Sequence, residues 1–257
     1  MIDCHCHLAY KGLYEIREQV IEDAKKTMTA IINCGYPRDY EKAVAISKKH
    51  EGFVFLELGL HPIDVVEMTD EEIKKYLQFV REHANEIVAV GEIGLDKHWY
   101  PDEKYEKQNE RFREVFVKCL ELAEELKLPA VLHSRKAEKE CFEIVNEMKF
   151  KRVNFHFYSG GLTLGKKIID AGYYISLTNT LDNSKNSKKI AQKFPIDKLL
   201  TETDSPFLSP SPPQPNTPLS VKIILEKIAE YRKISVDEVD KITTENAKKF
   251  FGLKLKI

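Results

Sequence analysis

The strongest constraint on the fold is a regular alternation of short apolar segments with longer amphipathic ones along the 257 residues. The apolar segments are rich in Val, Ile, Leu and Phe, as is typical of parallel strands that are covered on both faces. Eight such segments occur, at residues 2–5, 29–34, 53–60, 87–93, 130–133, 153–157, 173–177 and 199–202. Helical periodicity is found between them, for example at residues 39–49, 70–83, 104–126 and 136–148.

Eight strands alternating with helices predict a (β/α)8 barrel, and residues 236–251 predict one extra C-terminal helix that closes it. An open doubly wound sheet has the same periodicity and stays an alternative. No Gly-x-Gly-x-x-Gly follows the first strand, so the main dinucleotide signature is missing. The length suits one barrel, and we expect residues 1–257 to form a single domain.

The composition narrows the function classes. Forty Lys and Arg residues against 41 Asp and Glu residues give a formal net charge of -1, which excludes a bulk basic field for nucleic acid. Five cysteines without a Cys-x-x-Cys pair indicate reduced thiols. We expect no signal peptide, no membrane helix of the roughly 20 apolar residues required, and no obligate protein partner. The sequence therefore predicts a cytoplasmic protein.

Two histidines at the start of the chain indicate part of a metal site. Because side chains alternate along a strand, His5 and His7 point to one face, and Cys4 and Cys6 point to the other. We expect the two cysteines to pack against the surrounding helices. A buried strand that happens to carry two histidines is the alternative, but it leaves two polar rings in need of partners.

Further polar residues stand at the carboxyl ends of other predicted strands. In a barrel these ends meet at one mouth, where active sites are found. A cluster of buried polar groups is costly unless something satisfies it, and a metal centre accounts for the whole set. The residues are His61 after the third strand, Glu92 late in the fourth, His133 ending the fifth, His156 late in the sixth and Asp204 ending the eighth.

With His61 set aside, four imidazoles and two carboxylates remain, at His5, His7, His133, His156, Glu92 and Asp204. They exceed the ligands that one catalytic zinc takes from a protein, so two metals sharing a carboxylate fit better. Glu92, near the middle of the set, is the natural bridge. Mixed nitrogen and oxygen ligands suit Zn, Mn, Co or Fe, whereas Mg would have to tolerate imidazole. Two ions about 3.5–4 Å apart clamp the attacking and leaving oxygens of a hydrolysis. A metal-bridging hydroxide would then be the nucleophile, with Asp204 as base.

With these residues in this order, the sequence resembles the TatD family of metal-dependent deoxyribonucleases, within the amidohydrolase superfamily of distorted TIM barrels. The resemblance spans essentially the whole chain in family order. It is carried by Ile2-Asp3-Cys4-His5-Cys6-His7-Leu8, Gly59-Leu60-His61-Pro62, Gly91-Glu92-Ile93-Gly94-Leu95-Asp96, His133-Ser134-Arg135, His156-Phe157-Tyr158-Ser159-Gly160, Thr201-Glu202-Thr203-Asp204-Ser205-Pro206 and Thr244-Glu245-Asn246-Ala247.

The resemblance implies a two-metal site and a DNA substrate. The ions would be Zn, Mn or Mg, and the cleavage of phosphodiesters would be exonucleolytic, on single strands in preference to duplex. His61 and Arg135 would contact substrate phosphate, and Glu202, inward-facing like Asp204, would support the ligands. The implied ligand sets are His5, His7, Glu92 and Asp204 for one ion and Glu92, His133 and His156 for the other.

One segment departs from the family pattern. After the eighth strand the family usually has Arg-Gly-basic-x-Asn-Glu-Pro, but here Asn216 and Pro218 remain and the arginine and the glutamate are missing. This predicts weaker phosphate binding. A small-molecule amidohydrolase is therefore an alternative, although Glu92 stands where several such enzymes have a modified lysine. A barrel that binds nucleic acid without cutting it is a third interpretation, disfavoured by the intact ligand set.

Overall fold

A computed structural model of the protein describes residues 1–99 and 102–255. It contains eight strands, all parallel and hydrogen bonded in sequence order. Each strand begins and ends within two residues of its predicted bounds. The strands are β1 Ile2–Cys6, β2 Ala30–Gly35, β3 Val54–Leu58, β4 Ile87–Gly94, β5 Ala130–His133, β6 Val153–Phe155, β7 Tyr174–Leu177 and β8 Leu199–Thr201.

Helices follow the strands, and the four helices predicted above agree with the structure within two residues. Their amphipathic faces cover the outside of the sheet, which explains the near-continuous apolar character of the strands. The helices are α1 Arg17–Lys25, α2 Tyr40–Lys49, α3 Pro62–Glu67, α4 Asp70–Glu82, α5 Asp102–Glu125, α6 Glu138–Glu147, α7 Leu162–Asp170, α8 Lys185–Lys193, α9 Val221–Arg232 and α10 Val236–Phe251.

The first and last strands meet and close the sheet into a barrel. Cys6 and Ser205 form a parallel bridge, and the His7 amide donates to the Ser205 carbonyl at 2.7 Å. The Asp204 amide donates to the His5 carbonyl at 3.0 Å. The predicted barrel is therefore confirmed, and the open doubly wound sheet is wrong.

Helix α10 covers the end of the barrel at which the strands begin. Ala247, Phe250 and Phe251 form a buried cluster with Ile2, Leu200 and other residues from the first half of the strands. The Ser235 hydroxyl accepts from the Glu238 amide at 3.1 Å and caps the helix N-terminus. The extra closing helix is confirmed, and the carboxyl ends of the strands form the open mouth.

An irregularity in β1 changes the environment of one cysteine. The pairing of β1 with β2 shifts register between Asp3 and Cys6, which breaks the strict alternation of faces. Cys6 packs in the large cluster between strands and helices, as expected. Cys4 instead joins the inner cluster of the barrel, so the expectation that it packs against the helices is wrong.

Two further findings concern the cysteines and the length of the helices. All five cysteines are buried and unpaired. Among the residues that the structure describes, every helix is too short or too polar to cross a membrane.

Candidate metal centre

The six residues predicted as metal ligands come together at the mouth of the barrel. Glu92 is in β4 and His133 ends β5, while His156 and Asp204 lie just beyond the ends of β6 and β8, which are shorter than predicted. Nε2 of His5 is 3.6 Å from Oε2 of Glu92. Nε2 of His7 is 3.4 Å from Oδ1 of Asp204.

Glu92 is the centre of this cluster. Its Oε1 lies 2.6 Å from Nδ1 of His133 and 3.5 Å from Nε2 of His156. Burial raises the pKa of Glu92, but its imidazole neighbours His61, His156 and His133 and a hydrogen bond from His133 outweigh it and hold the pKa well below its usual range. The carboxylate is therefore ionised among several imidazoles.

A glycine allows β4 and β5 to approach closely beside Glu92. Gly94 has φ +138°, and a Cβ at this position would collide with the carbonyl oxygen of His133. Only glycine tolerates both the conformation and the contact. The second Gly in Gly91-Glu92-Ile93-Gly94 thus keeps His133 beside the Glu92 carboxylate.

A buried carboxylate that sequence reasoning missed orients His5. Oε1 of Glu57, in β3, lies 2.5 Å from Nδ1 of His5, and both side chains are fully buried. Burial lowers the pKa of His5, but Glu57 and then Glu92 outweigh it and raise the pKa well above its usual value. Because Nδ1 faces Glu57, Nε2 is left to face the cluster. The available signal was one charged residue inside the apolar segment 53–60.

Glu202 has the same relation to His156. Its Oε1 lies 2.8 Å from Nδ1 of His156 and accepts a hydrogen bond from the Phe157 amide at 2.6 Å. Nε2 of His156 then faces Glu92 and, at 3.9 Å, Oδ1 of Asp204. The structure therefore places Glu202 directly behind a predicted ligand.

His133 is held between two carboxylates, of which Asp96 was also missed. Its Nε2 lies 2.6 Å from Oδ2 of Asp96, while Nδ1 faces Glu92. Burial lowers the pKa of His133, but the charge of Glu92 and the hydrogen bond to Asp96 outweigh it and raise the pKa to about 9. Oδ1 of Asp96 accepts from the amides of His98 and Trp99, which anchors the loop after β4.

His61 presents a hydrogen-bond donor to the cluster. Its Nδ1 accepts from the Ile63 amide at 3.1 Å, at the start of α3. Burial lowers its pKa to about 3, so the ring is neutral and, with Nδ1 accepting, Nε2 carries the proton. Nε2 lies 3.9 Å from Oε1 of Glu92.

Tyr36, just after β2, is a third residue that the sequence analysis missed. Its hydroxyl donates to Oε2 of Glu92 at 3.2 Å and lies 3.3 Å from Nε2 of His7. The Tyr36 ring stacks on the His7 ring at 4.7 Å between centroids. No sequence signal marked it, because an aromatic residue after a buried strand is most often part of the core.

Asp204 keeps a negative charge at the mouth of the barrel. Burial raises its pKa, but a hydrogen bond from His7 and the charges of His156, His7 and His5 outweigh it and lower the pKa. The carboxylate is therefore ionised near neutrality. Its side chain retains 14% exposure, so it reaches the solvent at the mouth.

Arg135, the other residue predicted to contact substrate phosphate, lies at the rim of the mouth. Arg135 is exposed after β5, with its guanidinium carbon 5.7 Å from the centroid of the Trp99 ring. On another side of the mouth, the Asn216 side-chain amide donates to the Thr203 carbonyl at 3.0 Å. Asn216 thus ties the proline-rich loop at residues 205–218 to the segment that carries Asp204.

The donor set fits divalent metal ions. Two groups of ligand atoms within 4.8 Å of one another share Glu92: His5, Glu92 and His156, and His61, Glu92 and His133. A third group contains His5, His7 and Cys34. This grouping pairs His156 with His5 and His61 with His133, unlike the sets implied by the resemblance. Imidazoles backed by carboxylates are typical of metal ligands.

Comparisons with known proteins identify the family to which the chain is similar. The family model described as TatD related DNase matches residues 2–252. An uncharacterized metal-dependent hydrolase of Methanocaldococcus jannaschii is 36% identical over 255 residues, covering 99% of this chain and 98% of the relative. Deoxyribonuclease TATDN3 of Homo sapiens is 30% identical over 262 residues, covering 98% and 94%. The crystal structure of a TatD homologue from Escherichia coli matches with a TM-score of 0.89 and 26% identity, covering 99% and 98%.

Proposed function

The chain belongs to the TatD family of metal-dependent hydrolases, and from this premise we propose that it cleaves phosphodiester bonds of DNA with two divalent metal ions. The observation that supports the proposal best is the position of Glu92, whose carboxylate belongs to two separate groups of potential ligands. One ionised carboxylate between two sets of imidazoles is what a pair of ions sharing a bridge requires.

In this proposal Glu92 would serve both ions, and the remaining sets follow the resemblance: His5, His7 and Asp204 would hold one ion, and His133 and His156 would hold the other. By distance alone His156 lies with His5, and His61 lies with His133. Mixed imidazole and carboxylate ligands favour Zn or Mn over Mg. When bound, the two ions would polarise the phosphoryl group and lower the pKa of water at the site toward neutrality.

The chain's own residues complete the reaction. Asp204, ionised and partly exposed, accepts the proton of the attacking water. The water oxygen bonds to phosphorus and the bond to the leaving oxygen breaks. The leaving oxygen takes up the proton that Asp204 carries, so one phosphate end and one hydroxyl end result and Asp204 returns to its ionised form. His61 donates from Nε2 to a phosphoryl oxygen, which its neutral tautomer allows, and Arg135 pairs with a neighbouring phosphate. We propose that cleavage proceeds from strand ends and prefers single strands.

The decisive experiment removes the bound metal with a chelator and reloads the protein with Zn, Mn or Mg separately. Metal content is measured, and cleavage is followed on single-stranded and duplex DNA labelled at either end. We expect metal-dependent release of short labelled products, faster from single strands. Glu92→Ala is the control variant, and it should lose activity and bind both ions less tightly.

Other outcomes would contradict the proposal. Two tightly bound ions in Glu92→Ala would exclude the bridging role. Binding of DNA without cleavage under any metal would favour the non-catalytic barrel. Turnover of a small ester or amide without DNA cleavage would favour the small-molecule amidohydrolase.

A further inference from the structure

Exposed aromatic rings flank the metal centre. Phe207 and Trp99 are 39% and 57% exposed, unusually high for large apolar side chains, and both lie in loops that follow strands. The Phe207 ring is 5.0 Å from the Tyr10 ring and 5.8 Å from the His7 ring, between centroids. An apolar ring that adjoins a ligand histidine and still faces solvent offers a surface for a flat substrate group.

The backbone fixes Phe207 in this place. The Phe207 amide donates to the Asp204 carbonyl at 2.9 Å, which forms a tight turn three residues beyond the proposed base. The Asn216 amide donates to the Pro206 carbonyl at 3.0 Å and anchors the other side of the turn. The backbone that carries the ring is therefore fixed close to the reacting centre, as a substrate platform requires.

A cation lies beside the same surface. Arg38 is half exposed, and its guanidinium carbon is 4.8 Å from the Tyr36 ring and 5.8 Å from the Tyr10 ring. Its Nη1 is 3.5 Å from Oδ1 of Asp64. Contact with the Tyr36 ring and proximity to the Tyr10 ring restrain the guanidinium. A planar guanidinium can bind phosphate oxygens in a bidentate manner. Tyr36 itself contacts Glu92, so Arg38 is one ring away from the metal centre.

We propose that Phe207, Tyr10 and Arg38 form a nucleotide subsite for a single strand. A base stacks on Phe207 and contacts the Tyr10 ring, which is tilted by 59° to Phe207, and the phosphate next to it pairs with Arg38. This inference rests on the proposed function and deepens it by naming the residues that select an unpaired nucleotide. Arg38 supplies the positive group that the proline-rich loop lacks. A base inside a duplex cannot offer its face to Phe207, because its neighbours already stack on both sides.

The test separates base contacts from phosphate contacts. Cleavage and binding are measured on a single-stranded oligonucleotide and on a strand of equal length in which stable tetrahydrofuran units replace the nucleosides. Phe207→Ala should lower kcat/KM on the natural strand by about 5- to 150-fold, the range expected for one lost stacking contact. On the abasic strand, kcat/KM should change little in Phe207→Ala. Phe207→Tyr should restore cleavage of the natural strand.

Arg38→Gln should behave differently. Because both strands carry phosphates, the variant should weaken binding of both alike, mainly through KM. It should also make the slope of log affinity against log salt shallower by about 0.7. Val236→Ala shortens an exposed apolar side chain at the start of α10 and is the matched control. It should leave the cleavage and the binding of both strands unchanged.

Equal losses on both strands in Phe207→Ala would overturn the subsite, because they would mean that Phe207 only packs against His7. An unchanged salt slope in Arg38→Gln would remove the phosphate contact. If the wild-type protein cleaves neither strand under any metal, the proposed function itself is wrong, and the subsite proposal, which rests on it, is wrong too. The two failures are therefore distinguishable.

Discussion

Replacing Glu57 by glutamine should weaken metal binding without unfolding the barrel. Glu57→Gln keeps the size of the side chain but removes the charge 2.5 Å from Nδ1 of His5, in a pair with no solvent exposure. Losing such a partner of a metal-binding histidine typically costs 10- to 100-fold in affinity, or about 1.4–2.7 kcal/mol. The short distance and complete burial favour the upper half of this range.

The measurement is a competition titration with a chelator of known affinity, at several pH values, with circular dichroism to confirm folding. Glu57 raises the pKa of His5 in the metal-free protein, so protons compete with metal more strongly in the parent than in the variant. The difference in affinity should therefore be largest at alkaline pH and shrink as the pH falls.

Asp3→Asn is the matched control. Asp3 is as buried as Glu57, but it accepts hydrogen bonds from Thr203 and the His5 backbone rather than from a ring. This control should retain the metal affinity of the parent. A Glu57→Gln protein that binds both ions as tightly as the parent at alkaline pH would refute the argument that Glu57 orients His5 for metal.

Three further predictions concern the same site. Asp204→Asn should lower turnover by about 10²- to 10⁴-fold and should lower metal content less, because the amide keeps an oxygen that can bind metal but cannot act as a base. Near-normal turnover in this variant would mean that Asp204 is a metal ligand and not the base. Binding of single-stranded DNA to this variant should show a shallow salt slope of roughly -1.4, as two phosphate contacts at Arg38 and Arg135 would give; a steep slope would reveal a larger basic surface. Burial lowers the pKa of His133, but Glu92 and Asp96 outweigh burial and raise the pKa to about 9. Protonated His133 therefore contributes stability that is fully present below its ordinary pKa and is lost as the pH rises through 9. Urea unfolding of the metal-free protein should show this loss of stability, and Asp96→Asn should make the loss smaller.

Much of the fold was predictable because its signals are local. Each strand of the barrel is a short apolar segment, and each helix has its own periodicity, so the bounds could be predicted within two residues. The convergence of His5, Glu92 and Asp204 followed from one topological rule about strand ends. These predictions need no knowledge of which side chains touch.

The missing parts of the site depend on contacts between neighbouring strands. Glu57 meets His5 across 52 residues and Tyr36 meets Glu92 across 56, and nothing in either segment encodes the register that joins them. The shift in β1 that places Cys4 inside the barrel is a departure from alternation, which periodicity assumes throughout. Supporting residues behind metal ligands are therefore harder to predict than the ligands themselves.

His7 differs from the other imidazoles in how it is held, and this difference connects the metal centre to the proposed nucleotide subsite. His5 and His156 each have a carboxylate oxygen close to Nδ1, at 2.5 and 2.8 Å, whereas Nδ1 of His7 is buried and pairs with no carboxylate among the described residues. The His7 ring is positioned by aromatic contacts, stacked on Tyr36 and edge-on to Phe207. A base that stacks on Phe207 would contact the same group of rings, so we expect substrate binding to hold His7, the proposed imidazole ligand without a carboxylate at Nδ1, more firmly in place.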